Sequence, residues 1–162
     1  MTHIVHEPDW ESILTEAGEA YFKLVLIIGA IGSGKSAALK TVSESYSVGH
    51  LNFGEEFSRR LLRKPVRLRG AEAEEVAVDL VGEVAGTRLA IDNTEVLFEA
   101  PVRLNPLALL KKLSRHRVII ATWTGSHDDS SLTYGIKDHP AHREHRFTND
   151  DTFIIVPTRN VS

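Results

Sequence analysis

Leu24-Val25-Leu26-Ile27-Ile28, Gly29-Ala30-Ile31-Gly32-Ser33-Gly34-Lys35-Ser36 and Ala37-Ala38-Leu39-Lys40 follow one another without a gap. The apolar run has the composition of a strand buried on both faces, as in a parallel sheet covered by helices. The middle block satisfies G-x-x-x-x-G-K-[ST], the pattern of a phosphate-binding loop. Each residue type has a mechanical reason to be there. The glycines let the backbone wrap an anion without Cβ clashes, so that successive N–H groups point at phosphate oxygens. Lys35 would reach the β- and γ-phosphates, and the Ser36 hydroxyl would ligate Mg²⁺. The residues from Ala37 onward favour helix, whose positive dipole end would face the same phosphates. The sequence therefore predicts a strand, a phosphate cradle at 29–37 and a helix, with a nucleoside triphosphate as ligand.

The rest of the chain is consistent with one α/β domain. It has 162 residues, 42% hydrophobic and 25% charged, and a net charge of −3, so no general affinity for polyanions follows from charge alone. No apolar run reaches spanning length, the first residues do not read as a signal peptide, and there is no cysteine. These features point to a cytoplasmic protein with no membrane contact. Residues 1–22 read as an N-terminal amphipathic helix and lead-in, with Asp9 as N-cap and Trp10, Ile13, Leu14 and Ala17 on one face. Residues 23–157 read as the nucleotide-binding core and 158–162 as a tail. Strands are expected at 23–28, 48–53, 87–92, 118–123 and 152–156, with helices at 55–63, at 71–85 and after Asn105-Pro106. Alternating strand and helix predicts a three-layer α/β/α sandwich with a mostly parallel, five-stranded sheet. A ligand site at the carboxyl ends of the strands follows.

Asp92 ends the apolar strand 87–92 and suits the Walker-B task of holding Mg²⁺ through water; a turn or cap aspartate is the alternative. The next residue is Asn93, whose amide can orient a water but cannot take its proton. Glu95 is the nearby group that can, if the strand end turns it toward the γ-phosphate. Thr122 and Thr124 end the strand expected beside the loop, where a hydroxyl would sense the γ-phosphate, although threonine is also an ordinary strand residue. Between them Trp123 reads as core. Arg59, Arg60, Arg63, Lys64, Arg67 and Arg69 run without an intervening acid, which marks either a DNA or partner contact or a solvated face beside acidic 72–75. Arg143 and Arg146 are candidates for action in trans on the γ-phosphate of a neighbouring copy in a homo-oligomer. His139, His142 and His145 lack the spacing of a metal site and read as surface histidines.

With these parts placed, the chain resembles BrxF, the small P-loop family of type-3 BREX bacteriophage-exclusion systems. Beyond the loop, the matching blocks are Leu51-Asn52-Phe53-Gly54 with Ser58-Arg59-Arg60-Leu61-Leu62, and Ile91-Asp92-Asn93-Thr94-Glu95-Val96-Leu97-Phe98. They continue with Asn105-Pro106-Leu107, Leu113-Ser114-Arg115 and Leu132-Thr133-Tyr134 followed by His139-Pro140. The resemblance implies an antiviral role beside other BREX proteins: a larger ATPase, a methyltransferase and a phosphatase-like protein. It also implies a core similar to AAA-type ATPases, departing from them in having no C-terminal helical lid. The expected function is an accessory ATPase of low intrinsic activity whose nucleotide state controls assembly. Asn93 and the missing lid equally suit a non-hydrolysing scaffold. A small-molecule kinase is the remaining alternative, disfavoured because the second strand ends on Asn52-Phe53-Gly54 instead of an acceptor-binding acid.

Overall fold

Along β2 (Leu24–Gly29), Leu24, Leu26 and Ile28 enter one apolar cluster while Val25 and Ile27 enter another. Successive side chains of a strand point to opposite faces, so a strand with no polar face must be covered twice. The computed structural model describes residues 3–99, 102, 104–128, 130–135, 143–146 and 152–158. In it, α1 (Trp10–Glu19) and α2 (Lys35–Ser45) cover one face of the sheet. On the other face lie α3 (Phe53–Leu62), α4 (Val66–Gly82) and α5 (Pro106–Leu113). Each fully buried Leu, Ile or Phe side chain contributes about 1.5–3 kcal/mol relative to exposure, so this double covering is what selects a layered α/β architecture.

The remaining strands are β1 (His3–Ile4), β3 (Gly49–Asn52), β4 (Arg88–Asp92), β5 (Val118–His127), β6 (Ser131–Tyr134), β7 (Arg143–Arg146) and β8 (Ile154–Pro157). The order β1-β8-β2-β5-β4-β3 is parallel throughout. β5 thus lies between β2 and β4, with Gly29 opposite Thr124 and Ile27 opposite Thr122, while Asn52 lies opposite Asp92. These carboxyl ends form one rim of the sheet. Beyond that rim β5 continues and pairs antiparallel with β6, which pairs antiparallel with β7.

The sheet has eight strands among the described residues where the sequence reading expected five. The five expected strands are present as β2, β3, β4, β5 and β8, and β1, β6 and β7 are additions. β5 runs past Trp123 to His127 because Gly125, Ser126 and His127 pair with β6 instead of turning away. α3 begins at Phe53, two residues early, since the Asn52 side chain accepts the Glu55 N–H at 3.2 Å and caps the helix. α4 begins at Val66, five residues early, directly after Pro65, which tolerates a helix start and little else. α1 begins where expected, with Asp9 accepting from Ser12 N, but continues one residue beyond Gly18. Among the described residues no helix is long and apolar enough to cross a membrane.

Candidate functional site

The loop between β2 and α2 is built to present donors. Gly32 and Gly34 have φ of +75° and +94°, and a Cβ on either would meet nothing within 4 Å, so the loop faces open space. The first N–H groups of α2 have no intrahelical acceptor, and Gly34 offers no side chain to cap them. Lys35, only 7% exposed, folds back so that Nζ donates to Ala30 O at 2.8 Å. Burial lowers its pKa from the ordinary 10.5, against the opposing pull of the Glu95 and Asp92 carboxylates. A desolvated ammonium beside a row of N–H groups without intrahelical acceptors is chemistry that suits a multiply charged anion.

Asp92, at the end of β4, holds the other side of the rim. Its Oδ1 accepts from Ser36 Oγ (3.1 Å), from Asn93 N (2.8 Å) and from Thr122 Oγ1 (3.2 Å). Oδ2 has no hydrogen-bond partner among the described residues. Residues distant in sequence, Ser36, Asp92 and Thr122, therefore share one carboxylate oxygen. A hydroxyl beside a carboxylate is a hard-oxygen pair of the kind that suits Mg²⁺, which keeps most of its waters and takes few protein ligands. Three-residue clusters of His, Asp or Glu that would hold a metal unaided are absent among the described residues.

After Asp92 the chain turns sharply. Asn93 is in the left-handed region (φ 57°), and a 3-10 turn follows at Thr94–Phe98. Buried Thr94 locks the turn by donating to Thr122 O at 2.6 Å. The turn carries Glu95 to the loop side, where it accepts from Thr124 Oγ1 at 2.8 Å. Asn93 goes the other way, its Nδ2 donating to Asn52 Oδ1 at 2.8 Å. So of the residues following Asp92, the Glu95 carboxylate faces the loop and the Asn93 amide faces the head of α3.

Two clefts meet here. One, of about 370 Å³, is lined by Gly32, Gly34, Lys35, Ser36, Glu95 and Thr124, with Ile31 and Ala37 at its sides. The second, of about 470 Å³ and mostly apolar, is lined by Ala30, Gly125, Ser126, Tyr134 and Gly135 and shares Ile31 and Thr124 with the first. Behind it Tyr134 stacks on Phe98 with ring centroids 3.5 Å apart, and Trp123 meets Phe98 edge-on, so Trp123 is core. Thr158, just past β8, donates to Ser33 Oγ at 2.9 Å and tethers the loop apex to the last strand.

The structure thus brings together the loop 29–37, Asp92, Glu95, Thr122 and Thr124, and turns Asn93 away. It does not bring the basic residues to this site or gather them into one free face. Arg59 pairs with Glu55 and Glu56, Arg60 with Glu56 and Glu83, and Lys64 with Glu72. Arg69 donates to the carbonyls of Leu61, Leu62 and Lys64. Of the six, Arg63 and Arg67 are exposed and have no partner among the described residues. Arg143 and Arg146 lie on β7, opposite Tyr134 and Ser131 in register, and the Arg146 side chain is 84% exposed beside Glu144. His145 is also on β7; His139 and His142 lie outside the described residues.

Two contributors escaped the sequence reading. Asn52 carries a local signal, the Asn-x-x-Glu spacing of a helix cap with Glu55, but its bond to Asn93 spans 41 positions. Thr158 carries none, since its contact with Ser33 spans 125 positions. No family model matches the chain, and no curated protein or solved structure is significantly similar to it.

Proposed function

We propose that this chain binds ATP with Mg²⁺ at the loop 29–37 and hydrolyses it slowly, as a P-loop NTPase whose nucleotide state governs assembly with other proteins. The observation that carries this reading is the meeting of Ser36 and Asp92 at 3.1 Å, beneath a loop whose glycines face open space and whose lysine is desolvated. Lys35 would exchange its bond to Ala30 O for phosphate oxygens, and the loop N–H groups would take the remainder. Ser36 and Asp92 are the residues that would hold Mg²⁺, which when bound screens the phosphate charge. Glu95 would accept the proton of the attacking water, with Thr124 holding its carboxylate in place. Asn93, bonded to Asn52, is not the base.

The order β8-β2-β5-β4-β3, with β5 between the loop strand and the strand of Asp92, supports an AAA-like core. The resemblance to BrxF supports an accessory place in a bacterial anti-phage system. Protein partners are favoured over DNA because four of the six basic residues at 59–69 are committed within the chain.

ATP turnover with Mg²⁺, measured beside Lys35→Ala and across protein concentration, tests the proposal. Slow turnover that Lys35→Ala abolishes, with ATP affinity reduced about 100-fold, is expected. Saturable binding without turnover would leave a nucleotide-dependent scaffold. A specific activity that rises with concentration would bring in an arginine of a second copy. No ATP binding would overturn the reading altogether.

One observation favours a second reading. The apolar cleft shares Ile31 and Thr124 with the loop cleft and is far larger than a water requires. An apolar acceptor seated there would give its hydroxyl proton to Glu95 as its oxygen takes the γ-phosphoryl group from ATP, releasing ADP. ATP consumption that appears only with added acceptor alcohols, and leaves no free phosphate, would favour this kinase reading.

A further inference from the structure

At the corner between α3 and α4, large apolar and basic side chains are exposed together. Leu62 is 69% exposed and Val66 76%, and Arg63 and Arg67 stand beside them, exposed and without partners among the described residues. Their neighbours are spent on holding the corner in shape. Arg69 Nε donates to Leu61 O (3.0 Å) and Lys64 O (3.1 Å), and Lys64 Nζ pairs with Glu72 at 3.0 Å. Backbone bonds from Lys64 N to Leu61 O and from Leu68 N to Pro65 O close the turn on either side of Pro65. A segment fixed by these five bonds and yet presenting leucine and valine to water does not gain stability from those two residues.

We propose that the corner 62–67 docks an acidic amphipathic segment of a partner protein, with Leu62 and Val66 taking apolar side chains and Arg63 and Arg67 taking carboxylates. Charge complementarity selects that occupant. Two arginines beside exposed aliphatic carbon match a face carrying both Glu or Asp and Leu-type residues, and arginine is enriched in protein interfaces. Nucleic acid matches less well. Two cations would release few counterions, and leucine and valine have nothing to contact along a phosphate backbone. Rigidity of the corner lowers the ordering cost of docking. The proposal does not depend on nucleotide binding.

The test uses the intact chain and three fluorescent probes: a synthetic helical peptide with glutamate on one face and leucine on the other, an all-glutamate peptide, and duplex DNA. The amphipathic peptide should bind best. Arg63→Glu/Arg67→Glu and, separately, Leu62→Ser/Val66→Ser should each weaken it about tenfold or more. Both pairs are exposed, so circular dichroism and ATP turnover should remain those of the parent chain. The proposal is overturned if the amphipathic peptide does not bind, if neither double substitution weakens it, or if DNA binds better and loses affinity only on charge reversal.

Discussion

Lys35 holds its proton less tightly in the fold than a solvated lysine does, because burial removes water from the ammonium faster than Glu95 and Asp92 compensate. The sign for stability follows. Between the lowered pKa and 10.5 the unfolded chain binds more protons, so stability rises with pH across that window, and below it the buried charge is a standing cost. For an anionic ligand the sign is opposite. Phosphates favour the charged form, so ATP affinity should stay level through neutrality and fall as pH passes the lowered lysine pKa, before 10.5 is reached. A fluorescent ATP analogue titrated at successive alkaline pH values reads this directly, and Lys35→Gln should leave a weak, flat profile. Glu95 and Thr124 separate by kinetics. Glu95→Gln should lower turnover about 10²–10⁴-fold with ATP affinity retained, as removal of a proton acceptor does. Thr124→Val should lower kcat only about tenfold, since it orients the carboxylate and accepts no proton. Equal losses in both would mean that Thr124 itself contacts the phosphate.

At the scale of elements, the hairpin of β5 and β6 decides the shape of the rim, and Gly125 decides the hairpin. A Cβ there would lie 1.8 Å from Thr133 O, so the two strands approach closely only because residue 125 has no side chain. Gly125→Ala should therefore cost about 3 kcal/mol, visible as a lower denaturant midpoint, and should open the apolar cleft by displacing Tyr134. The same hairpin marks the limit of what the sequence discloses. β2, β4 and the start of β5 are legible because strands buried on both faces must be continuous apolar runs. The second half of β5 (Thr124-Gly125-Ser126-His127) and β7 (Arg143–Arg146) carry no apolar run, and β6 is four residues bordering a turn, so these stretches have the composition of loops. The Asp128 carboxylate accepting from Ser130 N and Ser131 N, an aspartate turn, was the local clue. Helix α4 was legible in its second half, where Val76 and Leu80 keep helical spacing, and hidden in its first turn by the arginines that follow Pro65.

Across the whole molecule, the site is tied to distant parts by bonds whose partners lie far apart in the chain, which is why local pattern could not reveal them. One route runs from Ser36 through Asp92 and Asn93 to Asn52, whose side chain also caps α3. Gly54 lies so close beneath Asn93 that a Cβ would be 2.1 Å from its carbonyl oxygen, so a shift of Asn93 must move the head of α3 or break the contact. The other route runs from Ser33 through Thr158 to the end of β8. A ligand that exchanges partners with Ser36 biases the first route, and one that draws Ser33 toward it biases the second. Amide hydrogen exchange with and without ATP and Mg²⁺ should therefore show protection changes in the first turn of α3 as well as in the loop. Asn52→Ala should erase the change in α3 and leave that in the loop, because it removes both the cap and the bond to Asn93. Thr158→Val should leave α3 responsive and loosen only the loop apex and the end of β8. If ATP protects the loop while α3 stays unchanged in the parent chain, the Asn93–Asn52 contact is structural support alone, and nucleotide state does not reach the α3–α4 corner by this path.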